Sequence, residues 1–192
     1  MRHGFKAHAK RLAAEVRAEL GLGPYDRLDP RALAAEYGIP IYTVGALATA
    51  CDPAVVAWVQ GPGQGVFSAA LVPVGTGRFI VDNDMHADTR RVSSIAHEMA
   101  HILCEHEFTE VLITADGCRA ASREDENQAE WLGGELLIPE AAAVRAARAD
   151  WDDQQVALVY GVSPRRAAMR MNASGARLRV QRERLARSRA HR

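Results

Sequence analysis

Residues 90–106 read RRVSSIAHEMAHILCEH. Within them His97-Glu98-Met99-Ala100-His101 forms an HExxH sequence. Successive helical residues turn by about 100°, so two histidines four apart project from one helix face and their rings can meet a single Zn²⁺. Glu98, beside the first histidine, is then placed to take a proton from a water acidified by that ion, which is metallopeptidase chemistry. Val92, Ile95, Ala96, Met99, Ile102 and Leu103 recur at the spacing of a buried helix face, with Ser93 and Ser94 near its start. A buried imidazole pair needs a partner, and a metal ion supplies one.

A catalytic zinc keeps three protein ligands and one open position, so the histidines need a third. The stretch 123–138, REDENQAEWLGGELLI, is the place to look. Ala129, Leu132, Gly133 and Leu136 form an apolar helical stripe, and Gly133 and Gly134 would let this helix approach the first closely. Its carboxylates precede the stripe. Glu126 is the choice for third ligand, and Glu124 is its competitor. Glu130, four residues after Glu126, could accept the free N–H of a ligating histidine and hold its tautomer. The bland alternative is an acidic first turn that suits a helix N-terminus.

Working outward, residues 5–20 place Ala9, Leu12, Ala13, Val16 and Leu20 on one helical face, with His3 and His8 read as surface residues. Asp29-Pro30 reads as N-cap and first residue of a second helix that closes at Gly38. The runs 39–44, 54–59, 66–72 and 78–81 are rich in β-branched and aromatic residues and predict short strands of a small sheet. GPGQG at 61–65 is a turn without a phosphate-binding context. Asp82, Asn83 and Asp84 leave the last strand before the HExxH helix, and that strand is an expected edge for an extended substrate. His86, next in the chain, could polarise a substrate carbonyl or cap the following helix. His106 lies five residues past His101, turned away from the ligand face, and is assigned a structural role. Val111-Leu112-Ile113 are expected along the site.

At 192 residues the chain fits one domain of ordinary size. Lys+Arg and Asp+Glu balance at 24 each, so whole-molecule charge gives no argument for a nucleic-acid or anionic-membrane partner. No apolar run approaches the ~20 residues of a membrane span, and the amphipathic N-terminus does not read as a signal peptide. The three cysteines are an odd number without a close pair, which suits reduced thiols in a cytoplasm. From Arg165 onward ten arginines face one acid, Glu183. Residues 151–160 and 163–171, joined at Gly161, predict two short helices that could form a helix-turn-helix unit or a pair packed on the core, and the second is preferred.

The pattern resembles the ImmA/IrrE family of metallo-endopeptidases over most of the chain. YGIPI at 37–41, IAHEMAHIL at 95–103, and Glu126 to Ala129 running on through WLGGELLIP at 131–139 are similar to that family's segments in the same order. The resemblance implies an α+β, mostly helical, zincin-like peptidase domain with a small β-sheet and a thermolysin-like site. It carries over to His97, His101 and Glu126 as metal ligands and to Glu98 as base. Glu130 stands where the family usually has Asn or Asp, and Leu132 replaces the usual Phe. Residues 1–150 are thus expected to form the peptidase domain, and 151–192 a helical, basic C-terminal extension packed on it.

The function that follows is zinc-dependent cleavage of a cytoplasmic regulatory protein, which the resemblance implies is a phage-type helix-turn-helix repressor. Direct nucleic-acid binding and membrane association are not expected. The competing function is a non-hydrolytic antirepressor or DNA-associated binding module, against which the presence of Glu98 argues.

Overall fold

The computed structural model describes residues 3–50, 52–63, 65, 67–106, 113–114, 117–118 and 122–190. Two helices come first, α1 (Phe5–Glu19) and α2 (Pro30–Glu36). Asp29 caps α2 as expected, its side chain accepting the Arg31 N–H at 2.9 Å. Strand β1 (Ile41–Thr43) leads into the short helices α3 (Val44–Leu47) and α4 (Pro53–Gln60), and then into strands β2 (Ala69–Val74) and β3 (Gly77–Asp82). Helix α5 (Asp88–Leu103) carries HExxH. A two-residue ladder, β4 (Ile113–Thr114) with β5 (Gly117–Cys118), precedes α6 (Arg123–Leu137), α7 (Glu140–Arg148), α8 (Asp153–Tyr160), α9 (Pro164–Ser174) and α10 (Ala176–Ala190). The fold is α+β and predominantly helical.

The main sheet has the order β1-β3-β2, with β3 parallel to β1 and antiparallel to β2. Alternation along the strands gives it two covered faces. Ala69, Leu71 and Ile80 turn towards the large core with α5, while Ala70 and Val81 join Val44, Trp58, Val59 and Phe67 on the other side.

This second face explains the largest departure from the expected elements; a smaller one is Val44, expected at the end of a strand and found opening α3. Residues 54–59, predicted as a strand, are the helix α4. Asp52 caps it by accepting the Ala54 N–H at 2.8 Å, and Pro53 occupies its first turn. That is the same Asp-Pro start that opens α2, and it outweighs the β-branched composition of a short apolar run. Strand β2 begins at Ala69 rather than at 66, and Val66 lies outside the described residues, as do Cys51, Val111 and Leu112.

The large core is built on α5, α6 and α1. Val92, Ile95, Ala96 and Met99 of α5 are buried, as are Ala129, Leu132 and Leu136 of α6, in agreement with the helical stripes. The same cluster runs through Ala142, Val144, Val156, Tyr160, Ala167, Met171 and Val180, so α7 to α10 share one core with the HExxH helix. Arg17 of α1 is also buried. Its guanidinium donates to the carbonyls of Leu136 at 2.6 Å, Gly23 at 2.8 Å and Asp26, fastening α1 to the end of α6. Among the described residues no helix is long and apolar enough to cross a membrane.

Two buried polar residues set where α5 begins. The Asp82 carboxylate is fully buried and accepts from Arg91 Nε of α5 at 2.7 Å. Asn83 donates from Nδ2 to the Phe67 carbonyl at 2.9 Å and accepts the Met85 N–H at 3.1 Å. The turn from β3 into the HExxH helix is thus pinned on both sides.

Candidate metal centre

Helix α5 presents the two histidines, as the i, i+4 spacing requires, and α6 lies directly against it. The approach is made at Gly133, where a Cβ would stand 3.2 Å from Ala96 O and 3.4 Å from His97 Cα. Gly134 serves a different neighbour, since a Cβ there would meet Arg170 Cδ of α9 at 3.2 Å.

His97, His101 and Glu126 come together, one ligand atom from each lying within 4.8 Å of the others. His97 Nε2 is 3.1 Å from Glu126 Oε2 and 3.1 Å from His101 Nε2, and His101 Nε2 is 3.5 Å from Glu126 Oε1. Two nitrogens and a carboxylate converging on one point form a donor set suited to zinc or a similar divalent ion. Burial, then the charge of His97, lowers the pKa of His101 to about 4, and neutral imidazole is the form that binds metal. Burial opposes protonation of His97 as well, but its hydrogen bond to Glu126 and the charges of Glu98, Glu126 and Glu130 outweigh this and raise it. That same hydrogen bond holds Glu126 below the usual carboxylate range.

The acidic first turn of α6 divides its labour. Ser122 caps the helix by accepting the Asp125 N–H at 3.1 Å, and the Asp125 carboxylate completes a capping box. Glu124 accepts from Gln128 Nε2 at 3.3 Å. Glu126 is the carboxylate of this turn that reaches both His97 and His101. Four residues on, Glu130 Oε2 lies 3.8 Å from His97 Nδ1, while its Oε1 accepts from Arg166 of α9.

Glu98 Oε2 accepts the Leu71 N–H of β2 at 3.1 Å. Burial pushes this carboxyl up to about 7, with the neighbouring Glu126 charge adding to the effect. His86 sits in the turn between β3 and α5, half-buried, its N–H donating to the Asn83 carbonyl at 3.2 Å. The N-cap of α5 is Ala87, without a side-chain cap.

Two contacts escaped the sequence reading. His106, assigned a merely structural place, returns to the site, with His106 Nδ1 2.9 Å from His101 Nδ1 and its Nε2 3.2 Å from Gln128 Oε1. Helical geometry would turn it away, but α5 ends first. Glu105 takes a left-handed φ of 55°, its N–H bonds to Ile102 O at 3.0 Å, and the His106 N–H bonds to His101 O at 3.1 Å. These two bonds make a Schellman turn, which swings His106 back over the last helical turn. Glycine usually marks such a turn, and here Glu105 occupies the position without that signal. The second contact, Arg166 on Glu130, joins residues 36 apart and no local pattern announces it.

The family model described as the IrrE N-terminal-like domain of the M78 peptidases matches residues 62–172. No curated protein and no solved structure matches the chain.

Proposed function

This chain belongs to the M78 peptidase family of IrrE N-terminal-like domains, and we propose that it is a zinc-dependent endopeptidase that cuts a regulatory protein. Membership supports a metallopeptidase-type activity. The observation that carries the finer reading is the convergence of His97, His101 and Glu126 beside Glu98. His97 and His101 would hold the ion through Nε2 and Glu126 through its carboxylate. When bound, zinc supplies Lewis acidity towards a water and towards the scissile carbonyl.

The remaining work falls to the chain's own side chains. Glu98 Oε2 is fixed by the Leu71 N–H, so Oε1 is left to accept the proton of the attacking water and return it to the departing amine. His106 Nδ1 meets His101 Nδ1, and a His101 that donates its proton there would leave Nε2 for the ion. His86 is kept as a candidate for polarising the carbonyl.

The sheet suggests how a substrate lies. Strand β3, the expected edge, is the central strand and is paired on both sides, so it cannot accept a peptide. Strand β2 is an edge strand beside Glu98, and its outward Leu71 N–H is already taken by that carboxylate. Pro73, two residues on, has no N–H to offer and shortens the usable edge. An extended segment of substrate pairing with so short an edge would depend on its side chains for selection. A linker in a helix-turn-helix repressor, in the cytoplasm, fits that requirement and the family's implied role. Direct DNA binding is not part of this reading, because Arg166 and Arg170 of α9 are committed to Glu130 and Glu135.

The test pairs metal analysis with cleavage. The purified protein is expected to hold about one zinc, and Glu98→Gln to retain it while cleavage of a co-expressed candidate repressor, followed by mass spectrometry, falls by about 10²-fold or more. Undiminished cleavage by Glu98→Gln would defeat the proposed mechanism.

A further inference from the structure

Arg166 stands in the first turn of α9, where its N–H is bonded to Ser163 Oγ at 3.1 Å. A cation there faces the positive end of the helix dipole, so helix electrostatics give no reason for an arginine. The side chain is nonetheless only 11 % exposed, and Nη1 donates to Glu130 Oε1. Its Nε and Nη2 are buried without an acceptor among the described residues. Glu130 is therefore what holds the guanidinium, and the guanidinium is what holds Glu130, whose side chain is otherwise 45 % exposed.

The other Glu130 oxygen faces the metal centre. It lies 3.8 Å from His97 Nδ1, within ion-pair range and beyond hydrogen-bond length. His97 Nε2 is directed at Glu126 and His101, 3.1 Å from each. Once Nε2 is a ligand, the ring proton resides on Nδ1, and Glu130 Oε2 is placed to receive it with a small closure.

We propose that Arg166 is a positioning residue for His97, acting through Glu130, so that the seating of α9 on α6 sets metal affinity. This rests on the assignment of His97 as a ligand. Two effects of the guanidinium oppose each other. It draws on the Glu130 charge and so weakens the pull on Nδ1–H, and it immobilises a half-exposed carboxylate that would otherwise disperse among rotamers. Immobilisation wins, because a carboxylate pointing into solvent cannot orient the ring at all.

The experiment uses the full chain, with Zn²⁺ affinity measured by competition against a chromogenic chelator and the absorption spectrum of the Co²⁺-loaded protein as a second readout. Arg166→Ala is expected to weaken Zn²⁺ binding about 10-fold, at the lower end of outer-partner effects, and to shift the Co²⁺ bands. Arg166→Lys should recover most of both. The double variant Arg166→Ala with Glu130→Ala should bind no more weakly than Glu130→Ala alone. Melting of the metal-free proteins separates a loss of fold, which would leave the Co²⁺ spectrum of the folded fraction unchanged. Should Arg166→Ala fail to fold, Arg166→Gln takes its place in every comparison. Unaltered affinity and spectrum, or losses in the double variant that simply add, would overturn the proposal. Wild-type protein that takes up no Zn²⁺ would remove the ligand assignment itself, and the proposal with it, and the wild-type titration alone reveals that outcome.

Discussion

Among the carboxylates at the start of α6, chemistry separates residues that composition treats alike. Asp125 is committed to Ser122 in the capping box, Glu124 to Gln128, and Glu126 to the two histidines. Glu126→Ala is therefore expected to strip most of the metal, and Glu124→Ala to reduce affinity only mildly through Gln128 and His106. Equilibrium dialysis followed by metal analysis distinguishes the two, and the reverse order would show that the third ligand is misassigned. The raised carboxyl of Glu98 follows the same logic of placement, since it comes from burial under β2 and not from residue type.

At the scale of elements, the contact between α5 and α6 decides how well the cluster is set. Gly133 is the point of closest approach, and its neighbours are the backbone of Ala96 and the Cα of His97, neither of which can swing aside. Gly133→Ala would gain about 1 kcal/mol of helix propensity but push the helices apart, at a cost of roughly 1–3 kcal/mol. The expected net result is a lower melting temperature together with weaker metal binding, because the displacement falls on His97. Gly134→Ala meets only the flexible stem of Arg170, so it should leave metal affinity intact. Equal metal loss in both variants would show that the approach at Gly133 is not what positions the ligand.

Across the whole molecule, ion pairs tie the basic C-terminal helix to the elements before it. Arg184 reaches Asp150 at 2.8 Å, Arg177 reaches Asp153 at 2.6 Å, and Glu183 accepts from Arg148 at 3.0 Å and from Arg179 at 3.2 Å. Apolar anchoring of α10 is slight, with Ala176 and Val180 buried while Leu178 and Leu185 are 53 % exposed. Hydrogen bonds from Arg184, and from Arg148 and Arg179, lower the pKa values of Asp150 and Glu183 below their ordinary 3.8 and 4.5. A depressed folded-state pKa means that the stabilisation is complete above those ordinary values and disappears as pH falls through the depressed ones. Amide exchange in residues 176–190, corrected for intrinsic rates, is expected to accelerate selectively below about pH 4 and with added salt. Exchange that follows the rest of the protein under both conditions would show that α10 is held by its apolar contacts instead.

The HExxH helix, its apolar stripe, the Asp-Pro cap of α2 and the stripe of α6 were legible because each is a local relation, settled by residues within about two helical turns of one another. The placing of His97 and His101 on one helix face was legible for the same reason. What the sequence left open were relations across distance. Residues 54–59 satisfy both strand composition and helix capping, and the face of the sheet opposite α5 is where the helix finds its packing. His106 returns to His101 through a left-handed Glu105 that carries no glycine to announce it. The central place of β3 depends on strand pairing between separate segments, and the approach of Glu126 to both histidines and the hold of Arg166 on Glu130 depend on how α6 lies against α5 and α9 against α6. Those arrangements come from the burial of apolar stripes between helices far apart in the chain, and only the packed tertiary structure determines which polar groups that burial brings face to face.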